Sequence, residues 1–194
     1  MSGNLAEKIS KIDTTVRVVD AAGGASRAHM TERGKPVILT LTGLRTDTFK
    51  DVVDEETIPE SGDVLVPLAR LGSPPRFVMR SGRTAILLAP TDDPRALAPF
   101  IDRLAFVAVD FPAFADGRGY THARTLREEL AYQGEIRATG DVGVDQLHYL
   151  ARVGVTTFVL KNTHKVEDAL AAIARFSHFY VGTRAVRRSS LIGV

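Results

Sequence analysis

The sequence predicts an α/β fold, with about four consecutive strand–helix units on a parallel sheet and a β-rich N-terminal portion before them. Three observations carry this expectation. From residue 84 onward, short runs that are apolar on both faces alternate with amphipathic stretches, the rhythm of a parallel sheet covered by helices. Glycine, Asp-Pro and Gly-Asp breakers punctuate the alternation. Before that point the chain carries short β-branched or apolar runs bounded by Asp, Gly and Pro, which read as strands.

In chain order, residues 16–19 and 37–41 are the first strand candidates, with a small-residue loop at 21–26 between them. Residues 48–61 are acidic and are expected to be exposed. Residues 64–68 form another apolar run, and residues 72–75 are a breaker. Residues 84–88 open the regular part. Asp93-Pro94 then offers an N-cap with proline at the first helical position. Leu97, Phe100, Ile101 and Leu104 follow at helical spacing, with Pro99 expected to kink that helix. The next strand is residues 105–109, and the helix after it has the stripe Ala123, Leu126, Leu130, with Arg124, Arg127 and Glu128 largely off it. Residues 135–139 are the third strand. Val144, Leu147 and Ala151 mark the third helix, with Gly154 placed as its C′ residue. Residues 156–160 are the fourth strand. Asn162 or Thr163 is positioned to cap the fourth helix, whose stripe is Val166, Leu170, Ile173 and Phe176.

The chain therefore divides into strands and loops over residues 1–62, an α/β domain over 63–181 and a tail over 182–194. Right-handed crossovers allow either an open doubly wound sheet or a partial barrel. Four units are too few to close an eight-stranded barrel.

Composition narrows the function classes. The 194 residues are 44% hydrophobic and 25% charged, enough to bury a core. A formal net charge of +2 gives no reason to expect nucleic acid as a partner. The chain has no cysteine, which excludes disulfides, thiolate metal sites, cysteine-held clusters and cysteine nucleophiles. Its five histidines form no His-x-x-x-His pair, so no dedicated metal site is expected. No apolar run approaches the roughly 20 residues of a membrane span, and the first fifteen residues hold no apolar signal core. A cytoplasmic protein without membrane contact is expected.

In parallel α/β folds the carboxyl ends of the strands carry the sites. The loop Asp116-Gly117-Arg118-Gly119 stands out. Two glycines admit close backbone approach, and a helix start with an arginine suits an anion. The plainer reading is a tight turn with Asp116 capping and Arg118 paired to a neighbouring carboxylate. Arg137, Asp141, Asp145 and Gln146 form a second polar group, in which Arg137 lies within a strand and needs a partner such as Asp141 or Asp110. His122 and His148 read as surface or satisfied residues in preference to catalytic ones. There is no Gly-x-Gly-x-x-Gly, Gly-Lys-Ser/Thr or Gly-x-Ser-x-Gly motif, and no cofactor is evident.

The stretch Asp110-Phe111-Pro112-Ala113-Phe114-Ala115-Asp116-Gly117-Arg118-Gly119-Tyr120, with Ala123 and Leu126-Arg127, leads on to Gly134-Glu135-Ile136-Arg137-Ala138-Thr139-Gly140-Asp141-Val142 and Asp145-Gln146-Leu147. Together these resemble a bacterial family of unknown function encoded beside the hemoprotein subunit of assimilatory sulfite reductase. Members are often labelled oxidoreductases of sulfite reduction. The resemblance covers about residues 63–177. Its motif falls on Asp116, Gly117, Arg118, Tyr120, Arg127, Arg137, Gly140, Asp141, Asp145 and Gln146. The chain departs from the family pattern at Thr121, where Ser is usual, at Ala115, where Thr is usual, and near Gly143, where Leu is usual.

The resemblance implies an accessory protein of sulfite reduction that binds sulfite reductase or a small oxyanion. The candidate residues are Asp116, Gly117, Arg118, Tyr120, Arg137, Asp141, Asp145 and Gln146. Two alternatives stand beside it. One is an oxidoreductase of sulfur assimilation using flavin or NADPH. The other is a structural subunit of a homo-oligomer.

Overall fold

A computed structural model of the chain describes residues 30–32, 35–52, 57–71, 80–160 and 166–174. Among them are the strands β1 (Met30–Glu32), β2 (Lys35–Thr40), β3 (Gly43–Thr46), β4 (Lys50–Asp51), β5 (Val64–Pro67), β6 (Thr84–Leu88), β7 (Phe106–Phe111), β8 (Glu135–Gly140) and β9 (Thr157–Phe158). The α-helices are α1 (Arg118–Arg124), α2 (Leu147–Arg152) and α3 (Val166–Ala174).

Strands β4 to β9 lie side by side in chain order, and every neighbouring pair is parallel. Right-handed crossovers between successive neighbours put every connection on the same face. That is barrel-type winding. A doubly wound sheet instead reverses its strand order and leaves a crevice at the reversal, and no reversal occurs within β4–β9. The partial barrel is thus the architecture adopted. The expected β-rich N-terminal portion joins the same sheet, with β2 antiparallel to β9. Leu39 stands opposite both Leu44 of β3 and Phe158 of β9, so β3 and β9 take opposite edges of β2.

The sheet must curl strongly. Laid flat, the eight strands from β3 to β4 would set those two edges about 34 Å apart at the usual strand spacing. Only residues 47–49 separate β3 from β4, and that link reaches at most about 14 Å. The strap formed by residues 47–49 therefore draws the two edges together, and its side chains meet strands in the middle of the sheet. Phe49 packs edge-on against Phe106 of β7, with ring centroids 4.7 Å apart. Asp47 accepts a 2.8 Å bond from Arg137 of β8.

The two faces differ in chemistry. The helix-covered row of Val66, Ile86, Val107 and Ile136 is apolar across the sheet. With Leu97, Leu126, Leu147, Leu150 and Ile173 it forms the main core. The inner row begins apolar with Leu87 and Ala108 and turns polar at Arg137, Thr157 and Thr40. Leu65, Ala85, Leu87, Phe106 and Ala108 form a smaller core there, against which Phe49 packs.

Several expectations change. The helix expected around Leu97–Leu104 is two 3₁₀ turns, Pro94–Leu97 and Ile101–Arg103. Asp93 does cap the first turn, accepting a bond from the Arg95 N–H. Pro99 cannot donate to an α-helical ladder, so the segment breaks in two where a kink was expected. Residues 48–61 are not simply exposed, since Val52 is fully buried. The fourth strand is assigned only at Thr157–Phe158, but its ladder runs on, with the Thr156 N–H bonded to Ile136 and the Val159 N–H to Ala138. The second helix continues α1 through a π-helical turn, Thr125–Glu129. The expected strand at residues 16–19, the loop at 21–26, the breaker at 72–75, the caps Asn162 and Thr163, Phe176 and the tail over 182–194 lie outside the described residues.

Candidate functional site

The mouth of the half-barrel, at the carboxyl ends of β7 and β8, gathers most of the candidate residues. Gly140 ends β8 with φ of 95°, which a side chain rarely adopts. A Cβ there would also collide with the Phe111 carbonyl and the Asp110 carboxylate. This conformation lets the Asp141 N–H bond the Phe111 carbonyl at 2.6 Å, joining the two strand ends.

Gln146 then ties the two loops together. It is buried, accepts a 2.9 Å bond from the Gly143 N–H and donates at 3.3 Å to the Phe114 carbonyl. The Tyr120 hydroxyl lies close to the same side chain, and the Tyr120 ring stands edge-on to Phe111 at 5.4 Å. Burial pushes the Tyr120 phenol above its ordinary range, partly offset by Gln146. Asp145 is exposed beside this cluster.

The glycine loop is closed on itself. Asp116 accepts bonds from the Arg118 side chain at 2.6 and 3.0 Å and from the Arg118 N–H at 3.1 Å. Those bonds hold the Asp116 carboxyl down to about 2, with the side-chain bond contributing most. Gly117, the N-cap position, makes no side-chain cap bond, and α1 has seven residues. The turn-and-ion-pair reading of this loop is therefore the one the structure adopts, and the guanidinium fork expected to meet an anion already holds Asp116.

Arg137 does not join this mouth. It is buried on the inner face, and its partners are Asp47 and Glu135 rather than Asp141 or Asp110. Its guanidinium also lies 3.6 Å from the Phe106 ring centroid. Asp141 lies past the end of β8, beyond the turn at Gly140, where its N–H is tied to the Phe111 carbonyl. Asp47 is brought near only by the curl.

Three features were missed. Arg127, expected to lie off the buried stripe, is a rivet. It donates to the carbonyls of Tyr132, Gly134 and Gly154 at 2.5–3.1 Å, and burial depresses its guanidinium to about 10. His122 is buried, and its Nδ1 meets no hydrogen-bond partner among the described residues. Burial lowers its pKa, against the opposing pull of Asp92. Finally, Phe114 and Tyr149 are large hydrophobic side chains exposed by 57% and 61%. Phe114 belongs to an exposed apolar loop, Pro112-Ala113-Phe114-Ala115, and Tyr149 lies one helical turn beyond Gln146. The apolar sequence of that loop was its only advance signal.

Residues 85–191, more than half of the chain, match the family described as bacterial protein of unknown function (DUF934). The chain belongs to this family. The mouth residues from Asp110 to Gln146, and Arg127 and Arg137, all fall within the matched span, so the family region contains both the loop-to-loop ties and the buried guanidiniums. No curated protein matches the chain. Among the described residues, no group of three or more His, Asp or Glu side chains is placed to hold a metal ion. No described helix is long and apolar enough to cross a membrane.

Proposed function

We propose that the protein is an accessory of assimilatory sulfite reduction that docks on sulfite reductase through the mouth of its half-barrel. The observation that carries this reading is two exposed aromatics, Phe114 and Tyr149, the first on the loop whose carbonyl buried Gln146 holds and the second one helical turn beyond Gln146. Exposed aromatics on a rigid base are the usual anchors of protein interfaces. The partner comes from the resemblance over residues 63–177. Two further facts favour docking over independent redox chemistry. Strand order within β4–β9 leaves no reversal crevice of the dinucleotide-binding kind, and the chain has no cysteine. The Asp116–Arg118 pair supports a preformed loop better than an open oxyanion site.

Co-purification of the tagged protein from its native host tests the proposal. Wild type is expected to retain sulfite reductase. Changing Phe114 and Tyr149 together to serine is expected to weaken the complex about 30-fold or more, since a single aromatic anchor is commonly worth about 2 kcal/mol. Arg118→Ala should act more mildly, through the loop it holds. A wild-type protein that retains no sulfite reductase would overturn the partner. A double variant that retains it undiminished would overturn the surface.

A further inference from the structure

A second site lies at the opposite end of the sheet, where the parallel strands begin. A cleft of about 480 Å³ opens there between the β2–β3 turn, the entry to β8 and the start of β9. That volume suits a small organic ligand and is much larger than a bare inorganic oxyanion needs. The polar side chains lining it include Thr40, Thr42, Arg45, Gln133, Glu135 and Thr157.

The hydrogen-bond inventory of this lining decides what it would take. Glu135 is fully engaged. Its Oε1 accepts from Arg137 and from the Thr157 hydroxyl, and its Oε2 accepts from Arg45. Arg45 is half exposed and makes one hydrogen bond among the described residues, to Glu135. A guanidinium carries five N–H donors, so most of that fork is unused. Gln133 commits one amide hydrogen to the Ala131 carbonyl and keeps the other. The acidic groups of the network are already matched, Asp47 by Arg137 and Glu135 by Arg137 and Arg45. An incoming anion thus meets surplus donors and no uncompensated carboxylate.

We infer that this cleft binds a hydroxylated organic anion, with its carboxylate or phosphate on the Arg45 fork and its hydroxyls on Thr42 and Gln133, since the Thr40 hydroxyl is already taken up by Gly43 and Thr42. A planar fork suits either headgroup, and threonine hydroxyls both donate and accept. The inference does not depend on docking at the mouth, because none of its residues belongs to that surface.

Titration calorimetry on the full chain, with gluconate, glucose 6-phosphate and neutral glucose as probes, tests it. Amide NMR shifts locate any binding. At least one anion is expected to bind where glucose does not, with shifts centred on Thr42, Arg45, Gln133 and Thr157. Gluconate against glucose 6-phosphate tells carboxylate from phosphate. Arg45→Gln should weaken binding roughly tenfold or more, the loss of a charge-assisted bond. Arg45→Lys, which keeps the charge but not the fork, should fall between the two and carries the test if Arg45→Gln does not fold. The inference is overturned if neither anion binds, if glucose binds equally, if the shifts lie elsewhere, or if the Arg45 variants bind as wild type does.

Discussion

Arg137 shows how a single residue gains its meaning from the fold. A buried guanidinium carries a large desolvation cost unless its donors are met. Here Asp47 meets Nη1, Glu135 meets Nε and Nη2, and the Phe106 ring covers one face. Glu135 is held below the usual carboxylate range even though burial, the largest single influence, pushes it the other way, because Arg137, Arg45 and the Thr157 hydroxyl together outweigh it. Asp47 and Arg137 have side chains only 6% and 3% exposed. Removing one partner leaves the other charge in a dry site. Asp47→Ala is therefore expected to lower unfolding free energy by about 3 kcal/mol, read from urea denaturation. A loss below about 1 kcal/mol would mean that water or Glu135 replaces Asp47 at no cost.

At the scale of elements, one side chain fastens the helical unit between β7 and β8 to its surroundings. Arg127 leaves the π-helical turn and binds the carbonyls that lead into β8 and that of Gly154 after α2. Gly154 has φ of 97°, and a Cβ there would strike the Arg127 side chain. The glycine thus serves both the helix end and the rivet. Arg127→Met keeps the side chain's bulk and removes its donors. It should cost about 3 kcal/mol, because each buried carbonyl left without a donor costs about 1–3 kcal/mol. The same variant should speed hydrogen exchange at Tyr132 and Val155, whose N–H groups bond Leu126 and Leu150, before the rest of the sheet. Uniform loosening would show that Arg127 serves general packing and has no local role as a rivet.

At the scale of the whole molecule, closure depends on the strap. Its Thr48 hydroxyl bonds Asp63, whose carboxylate also takes the Arg83 side chain and N–H. Arg83 in turn lies over the Phe49 ring at 4.8 Å. The Arg83 side chain is the main reason Asp63 is lowered from 3.8 to about 2. A folded-state value below the unfolded one means that this tie stabilises fully above about pH 4. Its contribution is lost as pH falls towards 2. The wild-type melting temperature should accordingly fall more steeply than that of Asp63→Asn between pH 4 and pH 2. Equal slopes would show that Asp63 does not govern acid loosening of the strap.

Local chemistry was enough to place the regular elements. Apolar runs located β6 and β7, the glycines at 134 and 140 bounded β8, the Asp93-Pro94 pair marked a helical start, and Gly154 marked a helix end, because each depends on residues a few positions apart. The same local reading placed Gln146, Tyr120 and Asp116 at one strand mouth, since loops after parallel strands share an end of the sheet. Tertiary structure alone decided the rest. Whether the sheet lies flat or curls is set by which distant strands pair, and the three residues between β3 and β4 reveal the curl only once both edges are known. The Asp47 partner of Arg137 and the Arg45 cleft follow from that closure. Glu135 meets Arg137 from two residues away on the same face of β8, but Asp47 is far off in sequence, and only the bending of the sheet brings it to the same guanidinium.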